Sequence, residues 1–89
     1  MRYQYYVKLS AHGNIDHGEN PYKEIAECGE GYGYTIADCV DIAMKYINDN
    51  QLGRGNWTGG KVYEVETDKY IGEISYNGRY WDNELKDRE

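Results

Sequence analysis

Thr35-Ile36-Ala37-Asp38-Cys39-Val40-Asp41-Ile42-Ala43-Met44-Lys45-Tyr46-Ile47-Asn48-Asp49 is the one long segment of this chain with a helical hydrophobic period. Ile36, Val40, Ala43 and Ile47 recur at spacings of four, three and four, which lines them along one face beside Cys39 and Met44. Asp38, Asp41, Lys45 and Asn48 fall on the other side. Thr35 stands where an N-cap is needed, and Asp38 follows three residues later, close to a capping box. Asn48-Asp49-Asn50, with Gly53 just beyond, marks the end. The spacing predicts a helix over 36–49 with a single apolar stripe. Such a helix needs a sheet to lie on.

Strand signals flank the helix on both sides. In Arg2–Ser10, Tyr3, Tyr5, Val7 and Leu9 alternate with Gln4, Tyr6, Lys8 and Ser10, the period of a strand. Ala11–Pro21, with two Gly, two Asn and the only Pro, reads as a loop. Tyr22–Cys28 is read as a strand pairing back on the first, with a short helix capped by Asn20 as the alternative. Gly29-Glu30-Gly31-Tyr32-Gly33-Tyr34 reads as a flexible approach to the helix. After the loop Gly53–Gly60, strands are expected at Lys61–Glu66 and Tyr70–Tyr76. Tyr63 and Val65 are placed on one face, opposite Val62, Glu64 and Glu66. Tyr70, Ile74 and Tyr76 are placed opposite Ile71, Glu73 and Ser75. Asn77-Gly78 predicts a type I′ hairpin turn with positive φ at both positions, returning a short strand at Arg79–Trp81. Residues 82–89 form a charged, frayed tail. The resulting fold is α+β. One domain over 1–89 packs its helix on one face of a mainly antiparallel sheet of four or five strands, in the order β-(β)-α-β-β-β.

Composition points to binding. The chain has 11 Tyr, 2 Trp and no Phe among 89 residues, at a net charge of -6. Tyrosine combines a rigid apolar ring with a polar tip, so a fold that avoids Phe altogether has rings suited to a surface. A sheet covered on one side leaves its other face to present them. Sixteen acidic against ten basic residues leave no Lys/Arg stripe for gripping a phosphate backbone. An acidic surface is suited instead to a basic groove on another protein; its simpler consequence is solubility. Cys28 and Cys39 are too few for a disulfide framework, and the polar start Met1-Arg2-Tyr3-Gln4 is unlike a signal peptide. The expected location is cytoplasmic.

Catalytic and ligand-binding patterns are weak throughout. His12 and His17, with Asp16 and Glu19, could hold a divalent metal, but their spacing matches no metal motif and fits solvated loop histidines. Gly29-x-Gly31-x-Gly33 before a helix is reminiscent of a phosphate cradle, yet it lacks the following Lys of a P-loop, and Glu30 would repel phosphate. Neither cysteine has a base and an orienting group in view. Tyr3, Tyr5 and Tyr6 could stack bases, but only Arg2 and Lys8 stand near them in sequence. No enzyme, cofactor or metal is expected.

From Thr35 to Trp81 the chain resembles very small proteins of bacteriophages and mobile elements, among them anti-CRISPR inhibitors, which commonly pair one helix with a short antiparallel sheet. The resemblance rests on the helix Ile36-Ala37-Asp38-Cys39-Val40-Asp41-Ile42-Ala43 and the strands Lys61-Val62-Tyr63-Glu64-Val65 and Tyr76-Asn77-Gly78-Arg79-Tyr80-Trp81. It is also similar to HicB-type antitoxins in having a glycine-bearing stretch before a comparable helix, with Cys28-Gly29-Glu30 where a Pro-Gly turn is usual. Both imply a protein that inhibits a macromolecule by occupying its surface. The expected function is that of a non-enzymatic acidic inhibitor covering a basic, nucleic-acid-handling surface of a bacterial protein or complex, without binding nucleic acid or membrane itself. The expected anchors are Trp57, Arg54, Tyr6, Tyr80 and Trp81, with Glu64, Glu66, Asp68 and Glu73 supplying charge. The alternatives are a homo-oligomeric, antitoxin-like protein, homodimeric in its simplest form, and a small-ligand or nucleotide binder using Gly29–Gly33.

Overall fold

A computed structural model describes residues 2–13, 18–20 and 22–82. Five strands and one helix follow in the order β1 (Tyr5–Leu9), β2 (Gly29–Gly33), α1 (Ile36–Asp49), β3 (Lys61–Glu64), β4 (Tyr70–Ile74) and β5 (Tyr80–Asp82). All pairings are antiparallel, and the spatial order is β2-β1-β3-β4-β5. The helix lies over β1 and β2. This is the expected α+β domain.

The helix begins as its sequence dictates. Thr35 Oγ1 accepts from the Asp38 N–H at 3.1 Å, and Asp38 Oδ2 accepts from the Thr35 N–H at 3.2 Å. The capping box is therefore reciprocal, and it satisfies two donors that would otherwise lack partners. At the other end, Gln51 rather than Gly53 takes the left-handed conformation (φ 51°), and the Leu52 N–H closes back on Ile47 O. The buried positions are Cys39, Ala43 and Ile47, and Ile36, Val40 and Ile42 pack at the margins. Burial, and then the Asp38 charge, push the Cys39 thiol up to about 11, so it stays a packed thiol and not a nucleophile.

The main core joins Cys39 and Ala43 of the helix to Val7, Val62 and Ile74 of three strands. A second cluster, Ala11, Ile47 and Leu52, lies at the helix C-terminal end. Trp57 touches both clusters and donates its indole N–H to Ile74 O at 3.1 Å.

Four expectations need correction. Tyr22–Cys28 is not a strand: only Glu24 makes an isolated bridge, to His12. The strand is Gly29–Gly33, whose alternate positions Gly31 and Gly33 leave the surface under the helix bare. A Cβ at Gly31 would lie 2.3 Å from Ile42 Cγ2, and one at Gly33 would lie 2.7 Å from Asp38 Cβ. The glycines lack β propensity because they serve a tertiary contact. Second, the β3–β4 register shifts at Val62/Tyr63, so Val62 pairs with Gly72 and Tyr63 with Tyr70. The extra residue lets Ile71 pack on the core together with Ile74, although strict alternation opposes them. Third, the Asn77-Gly78 turn has positive φ only at Gly78 (84°). Ser75–Gly78 forms a turn closed by Gly78 N–H to Ser75 O, and Gly78 then supplies the left-handed step of a longer hairpin loop. Fourth, β1 starts at Tyr5, so Tyr3 leaves the face of Tyr5, Val7 and Leu9. Asp82 closes β5; the remaining tail positions, 83–89, lie outside the described residues.

Candidate functional site

Six tyrosines form a continuous row that is centred on the sheet face opposite the helix and reaches the β2 edge, where Tyr3 and Tyr34 meet Asp38 and Asp41 of the helix. Strand alternation creates its centre. Val7 points to the core, so Tyr6 and Lys8 point away. Tyr6 pairs in register with Tyr32 on β2 and Tyr63 on β3. The Tyr6 and Tyr63 rings stack at 5.1 Å and 13°, and Tyr6 meets Tyr32 at 5.6 Å. The register shift turns Tyr70 toward Tyr63, at 5.7 Å. At the other end Tyr3 bridges Tyr32 (5.8 Å) and Tyr34 (4.9 Å). Offset and tilted pairs of this kind are each worth about 0.5–1.5 kcal/mol beyond simple burial. The row is firm because ring holds ring. It remains wet, with Tyr32 45% exposed.

Charge borders the row. Lys8 Nζ sits 5.5 Å from the Tyr6 ring centre and 5.9 Å from that of Tyr63, within cation–π reach. It also meets Glu30 at 2.6 Å, and that contact raises the Lys8 pKa. Asp68, held in a left-handed turn (φ 60°), accepts a hydrogen bond from the Tyr6 hydroxyl. This bond, reinforced by desolvation and the Asp68 charge, pushes the Tyr6 phenol up to about 12. Glu73 pairs across strands with Lys61 and with Trp81 and so belongs to the same face. Across 30, 68 and 73, three carboxylates edge an aromatic surface.

The expected anchors separate into three groups. Tyr6 is central to the row. Arg54, Trp57 and Trp81 line a shallow depression of about 400 Å³, together with Ser75, Tyr76, Asn77 and Arg79. Arg79 lies 4.5 Å over the Trp81 ring, and Trp81 is 37% exposed. The Trp57 indole is committed to the core. Tyr80 faces inward as well: its hydroxyl donates to Ile71 O at 3.0 Å, its ring fills the space over Gly72, and burial pushes its phenol up to about 12. The carboxylates expected to supply charge are dispersed. Glu64 pairs with Tyr5 on the helix side and accepts from Thr67 Oγ1, whereas Glu73 is on the open side. Glu66 lies exposed in the turn after β3.

Sequence reasoning missed Tyr3, Tyr32, Tyr34, Tyr63 and Tyr70 as parts of one surface, and Glu30 with them. The signal was the alternation Gly-x-Gly-x-Gly. Read as a strand with its bare side inward, it places Glu30, Tyr32 and Tyr34 together outward. The same reading leaves no free phosphate-cradling loop there, because the segment is hydrogen-bonded to β1. Of the histidine cluster, His12 Nδ1 shares a hydrogen bond with Thr58 Oγ1 and Glu19 accepts from Asn56 Nδ2, while Asp16 and His17 lie outside the described residues. No helix among the described residues is long and apolar enough to cross a membrane.

No family model, curated protein or solved structure matches the chain.

Proposed function

We propose that this chain is a non-enzymatic binding protein that lays its tyrosine face over a basic, nucleic-acid-handling surface of a bacterial protein or complex, inhibiting it as anti-CRISPR proteins do. The observation that carries the reading is the six-ring row centred on the face away from the helix. Tyrosine rings in a pre-packed array lose little entropy on docking. Glu30, Asp68 and Glu73, on a chain of net charge -6, favour encounter with a cationic partner. The depression at Arg54, Trp57 and Trp81 lies at the β5 side and supplies a second contact on the same partner. Such an inhibitor works in the cytoplasm of a bacterial host.

Affinity capture from a bacterial lysate tests this, with the wild type and a Tyr6→Ala/Tyr63→Ala variant as parallel baits. The expected result is a retained nucleic-acid-handling protein that is lost from the variant, elutes as salt rises, and has its own nucleic-acid binding blocked by the wild type. Retention that is equal on both baits, or unaffected by salt, overturns the reading.

A further inference from the structure

We propose that the chain pairs with a second copy of itself through the outer edge of β2, joining two five-stranded sheets into one of ten strands. β2 is an edge strand. The alternation of backbone bonds along β1 shows which of its groups are unused. Gln4 O and Lys8 O accept from Val65 and Gly60 on the β3 side, while Ala11 O accepts from Ile25 on the β2 side. Within Tyr5–Leu9 even positions therefore bond β3 and odd positions bond β2, while just ahead of the strand Gln4 turns its C=O to β3 and its N–H to Gly33 O on β2. Since Tyr5, Val7 and Leu9 register with Gly33, Gly31 and Gly29, the glycines of β2 bond inward, and the N–H and C=O of Glu30 and Tyr32 are directed to the open edge.

This edge lacks the usual protection. It carries no Lys, no Pro and no bulge, and its one charge, Glu30, is already matched by Lys8. Its geometry is self-complementary. In an antiparallel pair centred on Gly31, Glu30 of each copy stands opposite Tyr32 of the other. One register satisfies the N–H and C=O of both residues in both copies, and it brings no two like charges face to face. The helix surface above agrees with that dyad. Ile42 sits directly on Gly31, and Asp38 and Asp41 line the β2 edge beside Tyr32 and Tyr34. Lys45, paired at 2.8 Å with Asp49 of its own helix, continues the same helical stripe. Two helices related by the dyad run antiparallel, so Lys45 of one copy approaches the acidic stretch at 38 and 41 of the other. On the open face, the tyrosine row of one copy runs on into that of its twin.

The pairing stands or falls independently of the partner proposed above, because it uses the edge and leaves the face free. The test is sedimentation over a range of concentrations. The wild type is expected to move from monomer to dimer. Tyr32→Pro removes an N–H that β1 does not use and is expected to stay monomeric while retaining its helical circular dichroism. A wild type that remains monomeric at about 1 mM, or a dimer that survives Tyr32→Pro, overturns the proposal. A second variant covers the case in which the proline unfolds the chain. In the proposed register Cys28 of one copy faces position 34 of the other, with Cα atoms about 5.5 Å apart, within disulfide range. Within one copy, positions 28 and 34 are about 20 Å apart along the strand and cannot join. Tyr34→Cys is therefore expected to form a covalent dimer on mild oxidation, and Cys28→Ser/Tyr34→Cys is not. A covalent dimer that persists without Cys28, or its absence from Tyr34→Cys, sinks the register.

Discussion

Nine of the eleven tyrosines fall into two populations that differ in what their hydroxyls and rings do, while Tyr5 packs on the core and Tyr22 is 90% exposed. Tyr46, Tyr76 and Tyr80 turn inward and each donates its hydroxyl to a backbone carbonyl, of Glu27, Leu52 and Ile71 respectively. Their rings pack on the two core clusters. Tyr3, Tyr6, Tyr32, Tyr34, Tyr63 and Tyr70 turn outward and contact chiefly one another. The first population behaves as a polar-tipped core, in which each ring packs inward and its hydroxyl pairs with a backbone carbonyl. The second is a surface whose order comes from ring-to-ring contact. The same residue type thus answers two different physical demands, and substitution should separate them.

The largest effects belong to the inward set and its indole neighbour. Trp57→Ala and Tyr80→Ala each remove a ring from the core and are expected to destabilise by about 3 kcal/mol, read as a fall in the urea midpoint. Tyr6→Ala and Tyr63→Ala each remove two ring contacts of the open face and should cost about 1 kcal/mol of stability, well short of the core variants, yet weaken binding to the captured partner by about 2 kcal/mol, measured by calorimetry. A stability loss as large as that of Tyr80→Ala would erase the distinction. Gly31→Ala forces a methyl against Ile42, and an unfolding experiment should show a cost of about 1–3 kcal/mol, borne by the strand that links the two populations. Tyr46→Phe keeps the ring and removes a hydrogen bond to the exposed Glu27 carbonyl, at about 0.5 kcal/mol; Tyr63→Phe should cost nothing measurable in the same assay.

The smallest effect is on pH dependence. Hydrogen bonding to Asp68 raises the Tyr6 phenol, and burial raises that of Tyr80, each from 10.0 to about 12. A group whose folded pKa lies above its unfolded value favours the native state while protonated. That contribution is complete below pH 10 and is lost as pH climbs toward 12. Ultraviolet titration of Asp68→Asn should show one phenol ionising at lower pH than in the wild type. Tyr80→Phe should delete one late transition without moving the Tyr6 one.

Much of this frame was legible in the sequence, and the exceptions share a cause. The helix from 36 was readable because a capping box and an apolar stripe are local signals. β1 was readable because period two survives in Tyr5–Leu9. β2 was invisible to propensity because its glycines answer a contact with Ile42 and Asp38, residues that approach only after the helix has folded back. Ile71 and the row partner Tyr70 were misplaced by a register shift that no local pattern announces. Adjacent aromatics at 80 and 81 look alike in the sequence. Alternation separates them: Tyr80 pairs with buried Ile74, and Trp81 pairs with Glu73 on the other face. Only a register fixed from both ends of the hairpin tells the two apart.

The two indoles also make the chain its own spectrometer. Trp57, hydrogen-bonded to Ile74 O and packed on both clusters, should emit in the blue and shift red only when the fold opens. Trp81, stacked under Arg79 at the sheet margin and 37% exposed, should respond to a docked molecule while the fold stays closed. Replacing either one by Phe leaves a single indole to be read in the native chain without an added dye.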